Sequence, residues 1–107
     1  MWCPFYHRSF EPGHFQFITT STYRCIAIFA NPAYARLFAQ ALEAARHKFG
    51  FLLVGWVLMP EHFHLLFQPV DAGLTSAIVK DIEQRSAAAL LQRLSARSWL
   101  FSKILWF

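Results

Sequence analysis

The sequence predicts a mixed α+β domain, and three patterns carry the prediction. A run rich in β-branched and aromatic residues, 14–24, precedes a stretch of helical periodicity, 31–50. Two short apolar runs joined by a turn, 51–58 and 62–69, then precede a second helical stretch, 76–97. Alternation at period two marks strands and recurrence near 3.6 marks helices, so the order is strand, helix, strand, strand, helix.

Residues 1–13, MWCPFYHRSFEPG, are aromatic and basic and are broken by Pro4, Pro12 and Gly13; they read as an arm ahead of the core. In HFQFITTSTYR, Phe15, Phe17, Thr19 and Ser21 alternate with Gln16, Ile18, Thr20 and Thr22, as a first strand should. The first helix has Asn31 as N-cap, Pro32 at its first position and Gly50 as its stop. Tyr34, Leu37, Phe38, Ala41, Leu42, Ala45 and Phe49 fall on one face of it. His47 and Lys48 in its last turn suit the helix dipole.

FLLVGWVL and HFHLLFQP, joined by Met59, Pro60 and Glu61, read as an antiparallel hairpin. Beyond the DAG turn, with Thr75 or Ser76 as cap, the second helix buries Leu74, Ile78, Ile82, Ala89 and Leu90. A hairpin set between two helices predicts a ferredoxin-like split βαβ with an antiparallel sheet of three strands, lacking its last strand. One domain is expected over 1–107, with the arm at 1–13, the core at 14–95 and an apolar tail at 96–107. The tail, ending SWLFSKILWF, reads either as an amphipathic helix docked on the body or as a chain cut before its next element.

Composition narrows the function. The chain is 56% apolar with twelve Phe and four Trp, which excludes a disordered chain. Its apolar runs are too short to span a bilayer and no signal segment opens it, so a soluble cytoplasmic protein without a membrane partner is expected. Cys3 and Cys25 form no metal or disulfide pattern and are expected as free thiols. A formal charge of +4 and a pI near 9.5 point to a polyanion, nucleic acid being the usual one.

The chemistry concentrates at residues 56–67, WVLMPEHFHLLF. Residues two apart on a strand share a face, so His62 and His64 project together while Phe63, Leu65 and Phe67 point to the other side. The helices should cover the phenylalanine face, leaving both imidazoles on an open one. Two adjacent imidazoles repel if both are protonated; neutral, they can share a cation. Such a pair leaves a site incomplete, needing further donors. Glu61, by alternation, should point away and serve the turn. A pair that merely packs is the competing reading.

GWVLMPEHFHLLF resembles the central motif of the REP-associated tyrosine transposases, bacterial single-tyrosine enzymes of the HUH nuclease superfamily in which two histidines flank one hydrophobic residue. EPGHFQFITTSTYR resembles the family's first strand, and the likeness runs over about residues 8–95 in matching order. The resemblance implies an enzyme that cuts and rejoins single-stranded DNA. His62 and His64 would hold magnesium or manganese at the scissile phosphate, and a tyrosine on a later helix would attack to give a 5′-phosphotyrosine.

That tyrosine does not carry over. Tyr6, Tyr23 and Tyr34 all precede the His pair, so no catalytic residue is assigned: either the chain is a truncated or decayed copy, inactive alone, or the catalytic helix comes from elsewhere, truncation being the simpler account. Arg8, Arg24, Lys80, Arg85 and Arg93, with Arg97, are candidate DNA contacts, and Tyr6, Phe10 and Phe15 candidate stacking groups. The resemblance also implies homodimers that share catalytic elements. Two functions follow: a transposase domain on single-stranded or hairpin DNA, and a non-catalytic single-strand-binding module. Only the first needs the cation.

Overall fold

The structure, a computed structural model, describes residues 7–10, 15–94 and 106. Four strands, β1 (His7–Phe10), β2 (Gln16–Ser21), β3 (Leu52–Leu58) and β4 (His62–Gln68), form one sheet in the order β1-β2-β4-β3. All three pairings are antiparallel. Strands β2 and β3 therefore run parallel with β4 between them, which is the split βαβ arrangement, crossed by helix α1 (Pro32–Phe49) and followed by α2 (Thr75–Leu94).

The sheet has one strand more than the three expected. Within the segment read as an arm, His7–Phe10 pairs with β2, Arg8 opposite Ile18 and Phe10 opposite Gln16, and fills the edge that three strands would leave open. Such a short edge strand is held by ladder bonds to its neighbour, which its own composition does not reveal. At its far end β2 stops at Ser21, and a tight 3-10 turn takes Tyr23–Cys25. Arg24 and Cys25 there adopt positive φ, a conformation that ends strand pairing. Cys25 is disulfide-bonded, which corrects its expected free thiol: separation along the chain does not show which sulfurs such a turn brings together. Cys3 lies outside the described residues.

Helix α1 begins and ends as its sequence dictates. The Asn31 side chain accepts from the Ala33 N–H at 2.9 Å, and Gly50, at φ 66, donates its N–H to the Arg46 carbonyl. Phe38, Leu42 and Ala45 from α1 and Ile78, Ile82 and Leu90 from α2 meet Phe63, Leu65 and Phe67 of β4 in the core. Phe63 and Phe67 are almost wholly buried, each such side chain being worth about 1.5–3 kcal/mol. This burial sets the register of β4: a slip of one residue would put both histidines into the core. Trp106, in the segment read as an apolar tail, belongs to the same core. It is buried against Phe29, Phe38 and Phe63, and its indole N–H donates to Ser86 Oγ at 2.8 Å.

Candidate active site

His62 and His64 stand on the sheet face opposite the one covered by the helices, at the centre of the sheet. Cross-strand register puts Ser21 opposite His62 and Thr19 opposite His64. The two rings are nearly perpendicular, with centroids 4.8 Å apart, and their Nε2 atoms face each other at 3.1 Å. Each remaining ring nitrogen has its own partner. His62 Nδ1 lies 3.0 Å from Glu61 Oε1, and His64 Nδ1 lies 2.9 Å from Thr19 Oγ1.

Two expectations need correction here. The face around His62 is not open: His62 is 6% exposed, Thr19 4% and Ser21 1%. A central strand has neighbours on both sides, and the Glu61 side chain closes the end. Glu61 itself does not point away. It precedes the ladder, in the turn where the Met59 N–H donates to the His62 carbonyl, so the strand's alternation does not govern it and its buried carboxylate curls onto the next ring. His64, half-buried, opens towards a hollow of about 190 Å³ lined with Phe17, Gly55, Val57 and Leu66. The Phe17 ring lies nearly parallel to the imidazole at 5.8 Å.

The arrangement suits a cation. Burial, and then the neighbouring His62, hold the His64 pKa below its usual value, so its neutral, ligating form prevails at neutral pH. A carboxylate only accepts, so an ionised Glu61 keeps the His62 proton on Nδ1 and presents Nε2 as a lone pair. Two nitrogens 3.1 Å apart are close enough for both to reach one cation at ordinary metal–nitrogen distances of about 2.1 Å. Ser21 Oγ, buried opposite His62, has no hydrogen-bond partner among the described residues. The described residues hold no group of three or more His, Cys, Asp or Glu side chains able to bind a metal. What the described residues could offer a cation is thus two nitrogens, with Glu61 and Thr19 behind them.

Of the basic residues singled out from the sequence, Arg24, Lys80, Arg85 and Arg93 are not among the partners of the pair. Lys80, Arg85 and Arg93 lie on α2, beyond the other face of the sheet, exposed, and Arg85 is bonded to Asp81 at 2.6 Å. Arg24 is exposed beyond the end of β2, its guanidinium 5.3 Å over the Tyr23 ring. Arg8 sits on the edge strand; Arg97 and Tyr6 lie outside the described residues. Phe15 is 44% exposed. Thr19 was readable as strand from its own sequence, but its role depends on a partner 45 residues away.

No curated protein sequence matches the chain. Solved structures that share its fold include the following two. A REP-associated tyrosine transposase bound to a REP hairpin superposes with TM-score 0.64 at 16% identity, over all of this chain and 56% of that one. A candidate transposase from Deinococcus radiodurans superposes with TM-score 0.68 at 16% identity, over 99% of this chain and 78% of that one. The chain therefore spans little more than half the length of the hairpin-bound protein. The family model described as IS200-like transposase matches residues 9–107. With nearly the whole chain matched, from the edge strand through the His pair to Trp106, the protein belongs to the IS200-like transposase family.

Proposed function

We propose that this chain is the DNA-handling core of a single-tyrosine transposase, which holds single-stranded or hairpin DNA with one phosphate at His62 and His64. The observation that carries the reading is the pair of Nε2 atoms 3.1 Å apart, each ring fixed from behind by Glu61 or Thr19. A bound magnesium or manganese ion would supply positive charge to the phosphoryl oxygens as charge builds there. The side chains hold and orient; the sheet beneath them keeps the two nitrogens in place before any ligand arrives.

In this reading a tyrosine oxygen attacks phosphorus, the 3′ oxygen leaves with a proton, and a 5′-phosphotyrosine and free 3′-hydroxyl result. The phosphate ester bond is exchanged rather than lost, so rejoining needs no nucleotide triphosphate. The nucleophile is assigned to none of Tyr6, Tyr23 and Tyr34. Phe17, exposed on β2 beside His64, and Phe15, exposed just before that strand, offer stacking surface for bases, and Arg8, Arg24, Lys80, Arg85 and Arg93 remain the proposed phosphate contacts. A second copy of the chain is a further proposed partner. No described helix is long and apolar enough to cross a membrane, and we assign the protein to the bacterial cytoplasm, where its DNA lies.

Manganese titration against a fluorescent hairpin oligonucleotide tests this. The wild-type chain should bind manganese and DNA, and H62A/H64A should lose manganese while DNA binding weakens only a few-fold. DNA binding with no manganese uptake would leave a non-catalytic binding module, and absence of both would overturn the reading.

A further inference from the structure

We infer that Thr19 and Glu61 are positioning residues for cation binding, Glu61 by fixing one tautomer of His62 and Thr19 by allowing His64 to exchange between two. The inference rests on the metal reading of the His pair and specifies how the protein prepares it.

The argument is one of proton placement. Glu61 Oε1 is 3.0 Å from His62 Nδ1. An ionised carboxylate has no proton to give, so beside an ionised Glu61 a neutral His62 ring carries its proton on Nδ1 and its lone pair on Nε2. That lone pair faces His64 Nε2 at 3.1 Å. Two lone pairs cannot face each other at that distance without something positive between them. In the absence of a cation it must be a proton, carried by His64 on Nε2 and donated to His62.

The consequence falls on the other side of the His64 ring. With its proton on Nε2, His64 has a lone pair at Nδ1, and the Thr19 hydroxyl 2.9 Å away donates to it. With a cation on both Nε2 atoms, the His64 proton has to sit at Nδ1, and the same hydroxyl must accept. A hydroxyl does both by rotating about its C–O bond; a carboxylate could only accept and an ammonium only donate. Thr19 is thus suited to both states, whereas Glu61 commits His62 to one. No net proton is taken up or released within the pair. Thr19 is buried and sits opposite His64 in the ladder, so backbone pairing holds it at this distance.

Isothermal titration with manganese, on the full chain, separates the roles. Thr19→Val keeps the shape but leaves the His64 Nδ1–H of the bound state without an acceptor, and should weaken manganese binding by about 10- to 100-fold, the usual effect of losing a partner behind a ligand. Thr19→Ser should restore it to within a few-fold. Glu61→Gln keeps an accepting oxygen and should cost less than Glu61→Ala.

A second measurement does not depend on any variant folding. Long-range proton–nitrogen correlation spectra of the wild-type imidazoles should show His64 protonated on Nε2 without metal and on Nδ1 with magnesium, while His62 stays protonated on Nδ1 throughout. A Thr19→Val chain with unchanged manganese affinity, or a His64 ring carrying its proton on Nδ1 before metal is added, would overturn the inference. A wild-type chain that binds no manganese overturns the metal reading and this inference with it; one that binds manganese with no tautomer change overturns this inference alone.

Discussion

Thr22 fastens the start of the His strand from the end of β2: its backbone N–H donates to the Glu61 carbonyl at 2.8 Å, and its buried hydroxyl lies 3.1 Å from the same oxygen and 2.8 Å from the Ile26 carbonyl. The carbonyl that Thr22 holds belongs to the residue whose carboxylate orients His62. Thr22→Val keeps the backbone bond and the volume but removes the hydroxyl from two carbonyls. The expected cost is about 1–2 kcal/mol of stability, read from urea denaturation, together with weaker manganese binding. Unchanged affinity would show that Glu61 is held by its backbone alone.

How much of this was legible in the sequence depends on how far each cause reaches along the chain. Helix α1 was readable to its ends because Asn31, Pro32 and Gly50 act on their immediate neighbours. The shared face of His62 and His64 was readable because alternation is local to a strand. Glu61 was not, since one position outside the ladder its side chain is free of that alternation. The Thr19 partnership needed the register of β2 on β4, and β1 needed the edge it completes; both are properties of the folded sheet. Trp106 looked unpartnered because its partners, Phe29, Phe38, Phe63 and Ser86, come from four different segments.

The Trp106 contact makes a second prediction. Ser86 Oγ donates to the Ile82 carbonyl at 2.8 Å while accepting from the indole at 2.8 Å. Ser86→Ala leaves a buried indole N–H without an acceptor and should cost about 1–3 kcal/mol. Trp106→Ala removes the aromatic contacts as well and should cost about 3–5 kcal/mol. Thermal melts of the two variants, and of the double variant, test this. The double variant should be no less stable than Trp106→Ala, because the hydroxyl's loss matters only while the indole is present.

Stability should also fall as the solution is made less acidic. Glu83 on α2 has its pKa raised by burial from 4.5 to about 7, and no ion pair offsets this among the described residues. The folded state therefore holds a proton that the unfolded chain releases. This contribution is full below about pH 4.5 and is lost as pH rises through 7, an effect of up to about 3 kcal/mol. Glu83→Gln should flatten that part of the pH profile and raise stability at pH 8. A parallel profile for the variant would show that Glu83 is ionised in the fold without cost.

The outer edge of β3 predicts self-association. No described strand pairs with that edge, and Leu52, Val54 and Val57 are each at least half exposed, a combination that favours pairing with another chain. Sedimentation of the isolated chain should show species larger than a monomer at tens of micromolar, a range consistent with weak association. Val54→Lys, at the register shift between Leu53 and Gly55, should shift the equilibrium towards monomer. A clean monomer for the wild type would show that the edge is protected in solution.

The last prediction separates binding from chemistry. Phosphate neutralisation releases counterions, so hairpin affinity should fall steeply with salt, about 10-fold or more between 50 and 200 mM for several phosphate contacts. Strand cleavage also requires a nucleophile held in line with the phosphate, and that placement supplies much of the rate enhancement. Of the tyrosines whose positions are described, Tyr34 lies on α1, half-buried against the core, and Tyr23 lies in the turn beyond β2. Both precede β4 along the chain, and neither lies on a helix that follows it. The 107-residue chain, incubated with hairpin DNA and manganese, should therefore bind without forming a covalent adduct on a denaturing gel. An adduct mapped to Tyr6, Tyr23 or Tyr34 by peptide mass would place the nucleophile within this chain and make it an enzyme by itself.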